Sequence, residues 1–165
     1  MATRVQFRRG TTSEHSSFTG AVGEVTVDTD KDVVVVHDGS TAGGKPSPSL
    51  STAQTFTGAQ KGSVTTLTSS SNATAIDLSV NNFFTITLSE NTTFGAPTNA
   101  VAGQAGSIFI VQDGSGNRTG SFHSNFKFTG GADPTLTTTA NAVDRIDYVV
   151  KSSTEIHAVA TLALA

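Results

Sequence analysis

The chain has 165 residues, a formal net charge of −3, 14% charged residues and neither Cys nor Trp. That length suits one domain of ordinary size or two small ones. Without Cys there are no disulfides or thiolate metal sites, and the acidic balance offers no nucleic-acid footprint. Ser and Thr are abundant, 19 and 27 residues, beside ten Phe, while Lys and Glu are scarce. Thr, Val and Phe suit a pleated, half-buried surface, so the composition predicts an all-β chain and argues against a helical bundle, a nucleotide-binding α/β fold and a coiled coil.

Residues 5–9 alternate weakly and predict a first strand. In 11–19, Thr12 is placed to cap one helical turn, with Phe18 as its apolar anchor. Gly20 and Gly23 then break the chain. Residues 24–28 alternate cleanly, Thr29-Asp30-Lys31 turns, and 33–37 follows as a strand apolar on both faces, predicting a hairpin. Residues 38–50 are rich in Gly, Pro and Ser and read as a linker, which puts a module boundary near residue 50: an N-terminal module over 1–50 and a second domain over 51–165. In the second domain, strands are expected at 63–68, 75–80, 83–88, 107–112, 119–122, 143–150 and 155–162. Lys151-Ser152-Ser153-Thr154 is the loop of a C-terminal hairpin. Short strands at this spacing predict a β-sandwich or jelly roll, and no exact internal repeat is visible.

Motifs that carry chemistry are weak. Gly39-Ser40-Thr41-Ala42-Gly43-Gly44-Lys45 matches part of a phosphate-binding loop, but Pro46 stands where the metal-binding hydroxyl is needed. Asp28, Asp30 and Asp32 have calcium-loop spacing, yet Val33 and Gly39 occupy the positions that require Gly and Glu. His15, His37, His123 and His157 are never paired at metal-ligand spacing, so hydrogen-bonded or surface roles are expected. Asn72, Asn91 and Asn117 head glycosylation-type triplets and are read as strand-end polar residues. No Ser lies in a nucleophile-elbow context and no carboxylate pair is recognisable. No catalytic residue, cofactor or metal is assigned, and the chain is expected not to be an enzyme. No run approaches the roughly 18 apolar residues of a membrane span, and 1–10 lacks the apolar core of a signal peptide.

Val5-Gln6-Phe7-Arg8-Arg9-Gly10-Thr11-Thr12, His15, Phe18-Thr19-Gly20-Ala21, Glu24-Val25-Thr26-Val27-Asp28-Thr29-Asp30-Lys31 and Val34-Val35-Val36-His37-Asp38-Gly39 together resemble the N-terminal domain of the phage major tropism determinants. The rest is similar to a β-rich module of cyanophage and marine-phage structural proteins. Its cues are Gln54-Thr55-Phe56-Thr57-Gly58-Ala59-Gln60, Gly103-Gln104-Ala105-Gly106-Ser107-Ile108-Phe109-Ile110 and Ala140-Asn141-Ala142-Val143-Asp144-Arg145-Ile146-Asp147-Tyr148. The resemblance implies a virion protein, assembled in the host cytoplasm and exposed on the particle exterior, with an intertwined homotrimeric N-terminal module. The chain ends at Ala165 without a lectin-like variable domain, so receptor binding is not implied by that module.

A unit of about 45 residues rarely stabilises itself unaided. Phe7, Val33, Val34, Val35 and Val36 are therefore expected to pack a homotrimer, and Arg4, Arg8 and Arg9 to meet an acidic patch on phage capsid or tail proteins. The preferred function is a trimeric capsid decoration or cement protein bracing the outer shell by mass action. The alternative is a short tail fibre or receptor-binding adhesin, docked to the tail by its N-terminal module, with host-surface glycan as its other partner. Nucleic acid and membrane insertion are not expected.

Overall fold

The computed structural model describes residues 5–49, 55–56 and 58–164. The chain divides into two compact units, Met1–Gln60 and Lys61–Ala165; the boundary expected near residue 50 falls outside the described residues.

The N-terminal unit contains β1 (Arg8–Gly10), α1 (Thr12–Ser16), β2 (Val25–Asp28), β3 (Val33–Val36) and β4 (Lys45–Pro46). Its strands make one sheet in the order β1-β2-β3-β4. The predicted hairpin is present: β2 and β3 run antiparallel, with Val25 opposite Val36 and Asp28 opposite Val33. β1 joins β2 in parallel, Arg8 beside Thr26. The helical turn starts one residue earlier than expected. Thr11 is its cap: the Thr11 hydroxyl accepts from the Glu14 N–H and the Glu14 carboxylate accepts from the Thr11 N–H, a closed capping box. Thr12 instead donates its hydroxyl to Asp28 Oδ2 at 2.7 Å, which ties α1 to β2. Phe18 is half-buried and meets His37 edge-on, 5.1 Å between centroids.

The C-terminal unit carries β5 (Thr65–Thr66), β6 (Ala73–Thr74), β7 (Phe83–Leu88), β8 (Thr92–Phe94), β9 (Ala105–Gln112), β10 (Gly120–Phe122), β11 (Phe126–Lys127), β12 (Val143–Ser152) and β13 (Glu155–Leu164). They form a six-stranded sheet, β11-β13-β12-β9-β7-β5, and a three-stranded sheet, β10-β8-β6. From β5 to β10 the chain alternates between the two sheets, and every pairing among these six strands is parallel. The chain therefore winds through three turns, each giving one strand to each sheet. The β12–β13 hairpin then closes the large sheet, β12 running antiparallel to β9, and β11 lies parallel along β13.

The two sheets enclose one core, the sandwich expected from the strand spacing. In-register parallel pairing stacks like on like across successive turns: Phe84 beside Ile108, Ile86 beside Ile110, Phe94 beside Phe122. The Phe94 and Phe122 rings are stacked with centroids 4.7 Å apart, and Phe122 meets Phe126 and Phe128 edge-on. Two buried polar side chains serve the backbone. Gln112 donates its amide N–H to Arg118 C=O and accepts from Arg118 N–H, acting as one more rung of ladder. Asp144 accepts from the Thr137 and Ala163 N–H groups. Phe83–Leu88 matches its predicted span and 63–68 shrinks to Thr65–Thr66, but 75–80 holds no strand: β6 lies just before it, and Asp77 makes only an isolated bridge to Thr98. Ile76 and Leu78 are nonetheless buried. The C-terminal hairpin turns on Ser153 and Thr154, tighter than the four-residue loop expected.

Candidate functional site

The N-terminal sheet has two unlike faces, because side chains alternate along β2 and β3. Thr26, Asp28, Val33 and Val35 are buried on the face that α1 covers. Val25 and Val27 are half-buried on the other, where Val34 and Val36 are 43% and 45% exposed. Phe7 is also exposed, at 57%. Of the residues expected to pack a homotrimer, Val33 and Val35 are thus buried within their own unit, whereas Phe7, Val34 and Val36 are exposed.

Of the three arginines, Arg4 lies outside the described residues. Arg8 pairs with Glu24 at 3.1 Å and its guanidinium sits 4.7 Å above the centre of the Phe18 ring. Arg9 is exposed and is the register neighbour of Val27. Arg8 and Arg9 border a depression of about 420 Å³ together with Gly10, Glu14, His15 and Phe18.

The structure accounts for the weak motifs. The phosphate-loop-like segment cradles its own anion: the Asp38 carboxylate accepts from the Thr41 and Ser40 N–H groups and from both hydroxyls, with Lys45 at 3.3 Å. The Thr41 and Ser40 backbone bonds hold this carboxyl well below the usual range. In the Asp28/Asp30/Asp32 turn, Asp28 accepts from the Asp30 and Lys31 N–H groups and Asp30 from the Thr12 N–H. Among the described residues, no three His, Asp or Glu side chains converge as metal ligands. His123 and His157 are exposed, whereas His15 and His37 are buried and joined through Thr26, an association that sequence spacing did not reveal. Asn91 Oδ1 accepts from the Thr119 N–H, bridging adjacent turns of the winding.

The outward face of the six-stranded sheet mixes charge with apolar surface. Asp147 accepts from Ser107 Oγ at 2.6 Å and pairs with Arg145 at 2.9 Å. Glu155 takes bonds from Lys151 and His157, which hold its carboxyl below the ordinary value. Val149 and Val159 stand exposed between them. A depression of about 530 Å³ is lined by Lys127, Asp147, Val149, His157 and Val159, among others. Among the described residues, no helix is long and apolar enough to cross a membrane.

Two family models match this chain. The putative phage tail fibre C-terminal domain matches residues 68–154, more than half of the sequence, and the chain belongs to that family of phage tail-fibre proteins. The major tropism determinant N-terminal domain matches residues 5–41. A tail fiber receptor-binding protein of Bordetella phage BPP-1 is 70% identical over 46 residues, covering 28% of this chain and 12% of that relative. Solved structures of the M1 and I1 variants of the major tropism determinant share 67% identity over 27% of this chain and 12% of theirs, with a TM-score of 0.27. The matched segment thus spans 12% of the length of these relatives.

Proposed function

We propose that the chain acts as a short tail fibre or receptor-binding adhesin, with its N-terminal module joined to phage tail proteins and its C-terminal sandwich turned to the host surface. The observation that carries this reading is the tail-fibre match over residues 68–154, reinforced by the tropism-determinant match over 5–41. These favour the tail over the capsid shell, so the fibre reading displaces capsid decoration. Binding, not catalysis, is the activity, and the chain works as a homotrimer. The valine face of Val25, Val27, Val34 and Val36, with Arg9 in register beside Val27, supports this, because an exposed apolar sheet face is costly unless another surface covers it. Arg8 and Arg9 are the described residues offered to an acidic patch on the tail. On the C-terminal unit, the depression beside Asp147 and His157 combines carboxylate, imidazole and exposed Val side chains. That mixture suits a glycan, whose hydroxyls seek charged acceptors while its C–H faces seek apolar contact.

The test is the copy number per virion, measured by quantitative mass spectrometry against the major capsid protein, together with adsorption competition by the purified chain. A few trimers per particle and blocked adsorption are expected. Hundreds of copies without effect on adsorption would return the assignment to the shell.

A further inference from the structure

Inside the N-terminal unit, two buried histidines share one hydroxyl. His15 Nε2 lies 2.8 Å and His37 Nε2 2.9 Å from Thr26 Oγ1. The outer partners settle the direction of the chain. Gly20 N–H donates to His37 Nδ1, so His37 carries its proton on Nε2 and donates it to Thr26. His15 Nδ1 faces the Thr11 carbonyl at 3.0 Å, which only accepts, so His15 carries its proton on Nδ1. Its Nε2 is left as an acceptor for the Thr26 hydroxyl proton. Donors and acceptors thus match from Gly20 through His37, Thr26 and His15 to Thr11, with both imidazoles neutral.

A second proton on either ring breaks the match. On His37 it must go to Nδ1, against the Gly20 N–H. On His15 it must go to Nε2, turning two donors onto one threonine oxygen and leaving the hydroxyl proton without its acceptor. The rings are stacked 6.2 Å apart and 13° from parallel, so two imidazolium charges would also repel. Space for rearrangement is absent around His37, which is 2% exposed. A Cβ on Gly20 would lie 2.6 Å from its Cγ, and one on Gly44, where φ is +60°, 2.8 Å from its Nδ1. The charged groups around the relay are Glu14 on α1, Arg8 and Arg9 on β1, Asp28 on β2, Glu24 before β2 and Lys45 on β4. Arg8 is paired with Glu24, Glu14 is engaged by Thr11 in the capping box, Asp28 is held by Thr12 and Lys45 by Asp38.

We propose that the His15–Thr26–His37 relay makes the N-terminal module an acid-sensitive element, closed when both imidazoles are neutral and loosened when they take up protons. An opened module frees both rings to take up protons that the matched hydrogen bonds have no room for, so acid favours opening.

Hydrogen exchange of the β2 and β3 amides in the full chain, corrected for intrinsic rates, reads this directly. Between pH 7.5 and 5.5, protection should fall roughly tenfold for each ring excluded from protonation. His123→Gln with His157→Gln should leave that fall intact. His15→Gln with His37→Gln should abolish it, at the cost of lower protection throughout. A fall below threefold in the unaltered chain, or one that persists in the His15/His37 variant, overturns the proposal. Should that variant not fold, imidazole 15N shifts of the unaltered chain decide. The expected neutral tautomers, Nδ1–H for His15 and Nε2–H for His37, should persist in the folded module at pH 5.5. Doubly protonated His15 and His37 rings in a module that is still folded would refute the relay.

Discussion

Tyr148 shows how a single buried residue binds distant segments. Its hydroxyl donates to the Asn82 carbonyl at 2.9 Å, and burial pushes its pKa up to about 12. The same carbonyl also accepts from the Ser107 N–H. Tyr148→Phe therefore removes one of two bonds and should cost only about 0.5–1.5 kcal/mol in chemical denaturation. Gly106 is less forgiving: a Cβ there would sit 1.8 Å from the Asn82 oxygen, inside van der Waals contact with immovable backbone. Gly106→Ala should cost about 3 kcal/mol, the upper end of overpacking, and a loss under about 1 kcal/mol would mean that the loop before β7 yields. Asp38 and Glu14 make the stability of the N-terminal unit sensitive to strong acid. Backbone N–H bonds from Thr41 and Ser40 to Asp38, and from Thr11 to Glu14, hold both carboxyls below their ordinary values. Stability from a depressed carboxyl is present above its unfolded value, near 4, and is lost as pH falls through the folded one. Acid titration followed by circular dichroism should show this loss below about pH 4.

At the scale of elements, legibility followed local pattern. The β2–β3 hairpin and Phe83–Leu88 were readable from contiguous signals: alternation in Val25–Asp28 and across residues 84–88, and the unbroken valine run Val33–Val36 after a polar turn. β6, β8 and β11 are two or three residues long and carry no such pattern. Their partners in parallel ladders lie far along the chain: Ala73 beside Thr93, Thr93 beside Ser121. Pairs such as Phe84 with Ile108 need only be apolar, so winding leaves no exact repeat in the sequence. The Phe94–Phe122 stack joins two of these turns. Phe122→Ala should cost about 3–5 kcal/mol and lower the thermal midpoint of the C-terminal unit, measured by calorimetry.

For the whole molecule, the testable division is between folding and assembly. Val35 is 1% exposed inside its own unit, so Val35→Asp buries a lone carboxylate and should unfold that unit, at a cost of several kcal/mol. Val34→Asp with Val36→Asp places charge on the apolar outer face instead. The hairpin should persist by NMR while the proposed homotrimer dissociates to single chains by light scattering; an intact trimer would place subunit contact elsewhere. Composition and alternation were enough to establish an all-β chain and its N-terminal hairpin, since those follow from contiguous residues, while its phage character rested on the resemblance of long ordered strings to known phage modules. Which valines face inward was a matter of sheet register, and the parallel winding was a matter of pairings many residues apart. The meeting of His15, Thr26 and His37 likewise belongs to the tertiary structure, because three elements must pack before two imidazoles can share one hydroxyl.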